Sequence, residues 1–149
     1  MNKDLENNNL PVYTIGVAAN LIGVSVHALR MYENAGILSP KRTETKRRLY
    51  SKNDINRLKC VRQFIKEDGI NIAGIKTVLS MIPCWKLKPC GEEDRKDCDA
   101  YHKMGEPCWI VKNVGAICED VDCRDCEVYL NAASCTNIKE LIKQVYEYN

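Results

Sequence analysis

A mainly α-helical fold in two unlike parts, with a small β wing in the first, is predicted by three observations on the 149 residues. Apolar residues recur at helical spacing through the first 82 positions. A basic stretch with five Lys and Arg from Lys41 to Arg48 interrupts them, and eight of the nine cysteines fall between Cys84 and Cys135. Hydrophobic residues make up 45% of the chain, enough for a folded core, so disorder throughout is excluded.

Thr14 is positioned to cap a short first helix with Ile15, Ala18, Ala19 and Ile22 as its buried stripe, and Gly23 is its natural stop. Ser25 caps a second helix that runs from Val26 to Asn34 and breaks at Gly36. Two short helices joined by a tight Gly-containing turn describe a helix-turn-helix, whose second helix can lie in the DNA major groove. The same pattern, taken alone, also suits a plain helical hairpin.

The segment Ser39 to Tyr50 has no helical period and ends on the β-prone pair Leu49-Tyr50. In isolation its charges would read as a solvated loop. Directly after the helical pair they read as a wing that reaches along the phosphate backbone. Ser51, with Asp54 three residues on, opens a helix carrying Ile55, Leu58, Val61 and Ile65, which Gly69 closes. Asn71 caps another with Ile72, Ile75, Val78, Leu79 and Ile82, ended by Pro83. These apolar positions are core, and Cys60 among them is a buried thiol.

Tyr13-Thr14-Ile15-Gly16, Gly23-Val24-Ser25-Val26-His27-Ala28-Leu29-Arg30-Met31-Tyr32-Glu33, Gly36-Ile37-Leu38-Ser39-Pro40, Arg48-Leu49-Tyr50-Ser51 and Asp54-Ile55-Asn56-Arg57-Leu58 follow in order. Together they resemble the winged-helix DNA-binding domain of MerR-type transcription regulators, over about residues 12–82. The resemblance implies a homodimer on an inverted-repeat operator in double-stranded DNA. It also implies distortion of an over-long promoter spacer so that RNA polymerase engages both promoter elements. By position, Ser25, His27, Arg30 and Tyr32 belong to the recognition helix, and Arg42, Arg47, Arg48 and Tyr50 to the wing; Thr14 is counted with this DNA-facing set. Arg30 and Arg48 would pair with phosphates, Tyr32 and Tyr50 would donate hydroxyl hydrogen bonds, and His27 would point toward base edges. Two positions depart from the family: Met31 stands where an aromatic is frequent, and Lys46 where a Gly is frequent near the wing tip.

The formal net charge of +2 conceals a split. Met1 to Ile82 holds 13 Lys and Arg against 7 Asp and Glu, and Pro83 to Asn149 holds 9 against 13. The halves are therefore expected to meet different partners. A small segment as cysteine-rich as the second half needs staples, and in a reducing cytoplasm metal is favoured over disulfides. Cys84, Cys90, Cys98, Cys108, Cys118, Cys123, Cys126 and Cys135 are the candidate ligands. Cys123-x2-Cys126 is a common metal half-site, and Cys118-x4-Cys123-x2-Cys126 matches the first three ligands of plant-type [2Fe–2S] ferredoxins. An iron–sulfur cluster is favoured, with zinc and a reversible thiol–disulfide switch as the alternatives. The pairs Cys84-Trp85 and Cys108-Trp109, with Cys98-Asp99-Ala100-Tyr101, loosely resemble two-CW modules of bacterial signalling proteins, a resemblance that settles no function.

MerR-type chains commonly continue into one long pairing helix, which is missing here, so simple repression stays open beside activation. The expected organisation is a disordered tail over 1–11, a winged helix-turn-helix domain over 12–82, a cysteine-rich metal or redox domain over 83–135, and a helix over 136–149 that serves as a dimer contact or packs on its own domain. No apolar run is long enough to span a membrane and no signal peptide is evident, so a cytoplasmic protein is expected. With two histidines, no Ser/His/Asp set and no phosphate-cradling loop, a non-enzyme is expected. The rival of another class is a redox or electron-transfer protein that docks on nucleic acid.

Overall fold

The computed structural model describes residues 8–39, 41–42, 44–119 and 121–147, without the side chains of 41, 42, 145 and 146. The chain forms two compact units, Met1–Ile72 and Ala73–Asn149. The division falls ten residues before the boundary expected at Ile82, after the left-handed turn at Gly69 (φ +66°) rather than at Pro83.

The first unit is built in the order β1 (Tyr13–Thr14), α1 (Ile15–Ile22), α2 (Val26–Asn34), β2 (Lys41–Arg42), β3 (Arg48–Tyr50) and α3 (Lys52–Lys66). Both helices of the predicted helix-turn-helix form where their caps place them. Gly23, at φ +79°, donates its N–H to the Ala19 and Asn20 carbonyls and closes α1, as expected of a C-terminal glycine. Ala18, Ala19 and Ile22 of α1 pack with Leu29 of α2, with Ile37 and Leu38, and with Ile55, Leu58 and Val61 of α3 as the buried core. Each fully buried Leu or Ile contributes roughly 1.5–3 kcal/mol.

The sheet has three strands among the described residues, in the order β1-β3-β2, all antiparallel, with Tyr13 opposite Tyr50 and Arg42 opposite Arg48. The wing thus forms as β2 and β3, while β1 adds a strand that two residues of sequence could not announce. Residues 1–7 of the expected tail lie outside the described residues. Its last part is held, because the Asn53 N–H donates to the Asn8 carbonyl (3.1 Å) and the Val12 N–H to the Tyr50 carbonyl (2.9 Å).

The second unit is a chain of short elements: α4 (Ile72–Ser80), α5 (Cys84–Leu87), α6 (Glu92–Lys96), α7 (Asp99–His102), α8 (Ala116–Glu119), α9 (Glu127–Asn131) and α10 (Cys135–Glu147), with 3₁₀ turns at Cys108–Ile110 and Cys123–Asp125. Its buried apolar residues come from α4 (Ile75, Leu79), α9 (Val128, Tyr129, Leu130), the turn after it (Ala132, Ala133) and α10 (Ile138, Leu141). The unit therefore has an apolar core beside its cysteines. The final helix begins one residue before the expected start, at Cys135. No single helix among the described residues is long and apolar enough to cross a membrane.

Candidate nucleic-acid interface and a cysteine-lined cavity

The turn between α1 and α2 is fixed from both sides. The Ser25 hydroxyl accepts from the Ala28 N–H at 3.0 Å, which caps α2. The Arg62 guanidinium of α3 donates through Nη1 to the Ile22 carbonyl at 2.5 Å, which satisfies the end of α1. Thr14 occupies the N-cap position of α1 in extended conformation, but its side chain makes no capping hydrogen bond.

Along α2 the buried residues are Leu29 and Tyr32, while His27, Arg30 and Met31 are exposed. His27 and Arg30 are three residues apart and so share one helical face, beside the exposed Ser25 cap. Tyr32, expected as a hydroxyl donor to DNA, is only 9% exposed, because the α2 stripe that carries Leu29 turns it inward. Met31 stands on the solvent side.

The wing shows a sharper difference. Tyr50 is fully buried and its hydroxyl donates to Glu33 Oε1, while Arg48 Nε donates to Glu33 Oε2 at 2.6 Å. Arg48 is expected on a phosphate and Tyr50 as a hydroxyl donor at the DNA. The structure instead joins them through one carboxylate, whose side chain is 5% exposed. Glu33 was missed at the sequence level: it lies in the last turn of the recognition helix, and nothing in its spacing marks a partner fifteen residues away. Among the other wing residues, Lys46 and Arg47 are exposed. Arg42 pairs with Arg48 across the sheet, and its side chain lies outside the described residues. Lys46 adopts φ +61°, the left-handed conformation that favours glycine. The sequence resemblance places a frequent glycine here, and the wing turn holds a strained lysine in its stead.

Behind this wing the capping box at Ser51 forms as expected. The Ser51 hydroxyl accepts from the Asp54 N–H (3.1 Å) and the Asp54 carboxylate accepts from the Ser51 N–H (2.9 Å), both buried.

In the second unit one cavity of about 280 Å³ gathers most of the thiols. Cys84 of α5, Cys90 after it and Cys98 before α7 line it, as do Cys108, Cys118 of α8, Cys123 and Cys126. Cys135, at the start of α10, does not line it. The remaining wall is largely apolar, with Trp109 packed edge-on against the buried Tyr129 at 5.1 Å. Tyr101 also lines it, packed edge-on against Trp85 at 5.3 Å with the Arg95 guanidinium 5.4 Å from its ring. Trp85 and Trp109 are only half-buried and Tyr101 is exposed, so these aromatics pack in pairs beside the thiols without forming the buried mini-core expected. His102 does not line the cavity, and its Nε2 donates to the Lys96 carbonyl at 3.0 Å.

Burial pushes the Cys84 thiol up to about 11, helped by the neighbouring thiols of Cys98, Cys118 and Cys90. Burial raises Cys108 further, with Cys84 and Cys126 adding to it. Cys90, Cys118 and Cys123 are raised by burial as well, and Lys88 opposes the rise at all three. In these five thiols the shift favours the protonated form. Among the described residues, no three His, Cys, Asp or Glu side chains come together closely enough to hold one metal ion.

Comparison with known proteins bears on the first unit most directly. Residues 13–82 match the profile of the MerR HTH family of regulatory proteins. The chain is 45% identical over 71 residues to the heat shock protein HspR of Streptomyces coelicolor, across 48% of this chain and 47% of that protein. It is 37% identical over 76 residues to the HTH-type transcriptional regulator GlnR of Bacillus anthracis, across 51% of this chain and 58% of that one. A third relative, heavy metal-dependent transcription regulator 2 of Rhizobium meliloti, is 29% identical over 124 residues, 76% of this chain and 82% of its own. The chain thus spans about half the length of the first two. Over residues 13–82, a little under half of its length, the chain is thus similar to the helix-turn-helix domain of the MerR family of regulatory proteins.

Proposed function

We propose that the chain is a DNA-binding transcriptional regulator of the MerR type, acting as a homodimer, in which the cysteine-rich unit receives the signal by binding metal through its thiols. The observation that carries the DNA-binding part is the second helix of a capped helix-turn-helix presenting His27 and Arg30 on one face, within the residues that match the family and beside a wing with exposed Lys46 and Arg47. His27 meets base edges and Arg30 a phosphate, with the wing adding sequence-independent affinity that falls with salt. Contact with RNA polymerase and an inverted-repeat operator follow from the family and belong to the same proposal. So does an intracellular, non-enzymatic role.

For the second unit, support comes from seven thiols around one cavity and from the relative whose name states heavy-metal dependence. Its alignment covers 76% of this chain and must therefore run past Ile82 into the cysteine-rich region. Iron–sulfur chemistry is the form favoured, ahead of structural zinc or a disulfide switch.

The test is selection of binding sites from a random duplex pool, followed by titration at several salt concentrations. An enriched inverted repeat is expected, and Arg30→Ala should lower the salt slope of the homodimer by about two, about one for each subunit. Failure to enrich any sequence overturns the DNA-binding reading. Cys126→Ser should alter transcription from the selected site more than affinity for it; equal transcription from variant and parent under oxidising and reducing conditions overturns the sensor reading.

A further inference from the structure

The cavity in the second unit combines two properties that restrict its occupant. Seven thiols face one space of about 280 Å³, yet no three potential ligands converge on a single point. A tetrahedral zinc ion holds its sulfurs at about 2.3 Å, which places them about 3.8 Å from one another. Thiolate-bridged clusters of soft ions impose the same crowding, because each sulfur must touch two metals. Thiols spread around a shared void suit neither. They suit a group that brings its own bridging atoms and sets a separate metal atom before each separate thiol. The size agrees: the void is about twenty times the ~10–15 Å³ that one water-sized occupant needs.

We propose that this cavity takes a [4Fe–4S] cluster, each iron ligated by one of four of the seven lining cysteines; the proposal rests on the metal-binding reading of this unit given above. Inorganic sulfide supplies the bridges, so the thiols need not approach one another. Two ferrous ions, two ferric ions, four sulfide ions and four protonated thiols give a cluster of net charge 2− with its thiolates, and four protons are released. No external oxidant or reductant is needed. The wall answers that charge: Lys88, Arg95 and Lys112 line the cavity against one carboxylate, Glu119, among the described residues. The remaining wall is mostly apolar and limits solvent access, which tunes the potential of such a group.

The test uses the full chain, purified without oxygen and supplied with equal ferrous and ferric iron plus sulfide. Iron, acid-labile sulfide and zinc are then counted on one sample, with a visible spectrum and an electron paramagnetic resonance spectrum after reduction. Four iron and four sulfide per chain are expected. One zinc per chain with no uptake of iron, or two iron and two sulfide, overturns the proposal. Single Cys→Ser changes across the seven positions should abolish assembly at four and spare it at three, and Cys135→Ser should retain the cluster. Should a variant fail to fold, the count on the unchanged chain still decides. A loaded chain whose transcription matches that of the unloaded one overturns the sensor role and leaves the cluster standing. A chain that assembles no cluster under these conditions yet binds its selected DNA site overturns the cluster alone and leaves the DNA-binding reading standing.

Discussion

Glu33 fixes the wing against the recognition helix, and its removal has a calculable cost. Its carboxylate accepts from Arg48 Nε at 2.6 Å and from the buried Tyr50 hydroxyl, and its side chain is 5% exposed against 27% for Arg48. A hydrogen bond to a charged group contributes about 1.5–3 kcal/mol. Because Arg48 keeps some contact with water, the lower half of that range applies to this pair, about 1.5–2 kcal/mol. Glu33→Ala also deprives a fully buried hydroxyl of an acceptor, which costs a further ~1–3 kcal/mol. The single change should therefore destabilise the first unit by about 2.5–5 kcal/mol, and Arg48→Ala by about 2 kcal/mol. In a cycle of both single variants and the double, measured by urea unfolding, the coupling should be about 1.5 kcal/mol. A coupling below about 0.5 kcal/mol, the usual limit of additivity, would refute the reasoning and free Arg48 for a phosphate. Salt dependence of DNA binding gives an independent check: Arg48→Ala should weaken binding with little change in slope, whereas Arg30→Ala should change the slope.

Other perturbations are equally direct. Lys46→Gly should stabilise the wing by up to about 1 kcal/mol in urea unfolding, since it relieves a left-handed lysine at φ +61°, while weakening DNA binding through the lost charge. Gly23→Ala should cost about 1–2 kcal/mol by the same measurement, because φ is +79° and the new Cβ would meet Arg62 Nη1 at 2.5 Å. In the second unit, Gly115→Ala brings a Cβ to 2.4 Å of the Asp94 carbonyl oxygen, a backbone atom; metal uptake should fall while DNA binding persists. Alkylation of Cys84 in the metal-free chain at pH 8 should run about a hundredfold slower than for a thiol titrating at 9.0, and its rate should keep rising to about pH 11. Since the folded thiol has the higher value, its contribution to stability is complete below pH 9 and is lost as pH rises from 9 toward 11.

Legibility in the sequence followed the length of the elements. The helices over 15–22, 26–34 and 52–66 were foreseen because each carries a cap and at least two turns of apolar period, and the Ser51–Asp54 box is local enough to need no tertiary information. The wing could be located by its charge. Its contacts could not, because an arginine and a tyrosine on a basic strand look the same whether they face phosphate or a carboxylate on another element; only burial of Tyr50 and Glu33 distinguishes the two. The short helices of the second unit, four or five residues each, leave no period to detect. The thiols were named as candidate ligands from spacing, and seven of the eight line one cavity. What spacing missed is their separation around the cavity, which depends on where α5, α8 and the two 3₁₀ turns lie, and that separation is what argues against the single-ion site that the Cys123-x2-Cys126 pair suggests.

The same separation bears on how a signal would travel. A ligand moves a conformational equilibrium only by the difference in its affinity for the two states. A cavity whose thiols converged on one ion would be complete before the metal arrived and would discriminate little between geometries. Thiols spread around a void of about 280 Å³ are different, because the occupant itself must set the distances between α5, α8 and the turn that precedes α9. Loss of a cluster would release several short elements at once, each with too few residues to hold its own structure. A regulator of this construction should respond to cluster loss as a change in the order of its second unit. Hydrogen exchange at α5, α8 and α9 should therefore rise on cluster removal while exchange at α1 and α2 holds steady off DNA. Uniform exchange across the second unit with and without cluster would leave the occupant structurally silent and remove the physical basis for sensing.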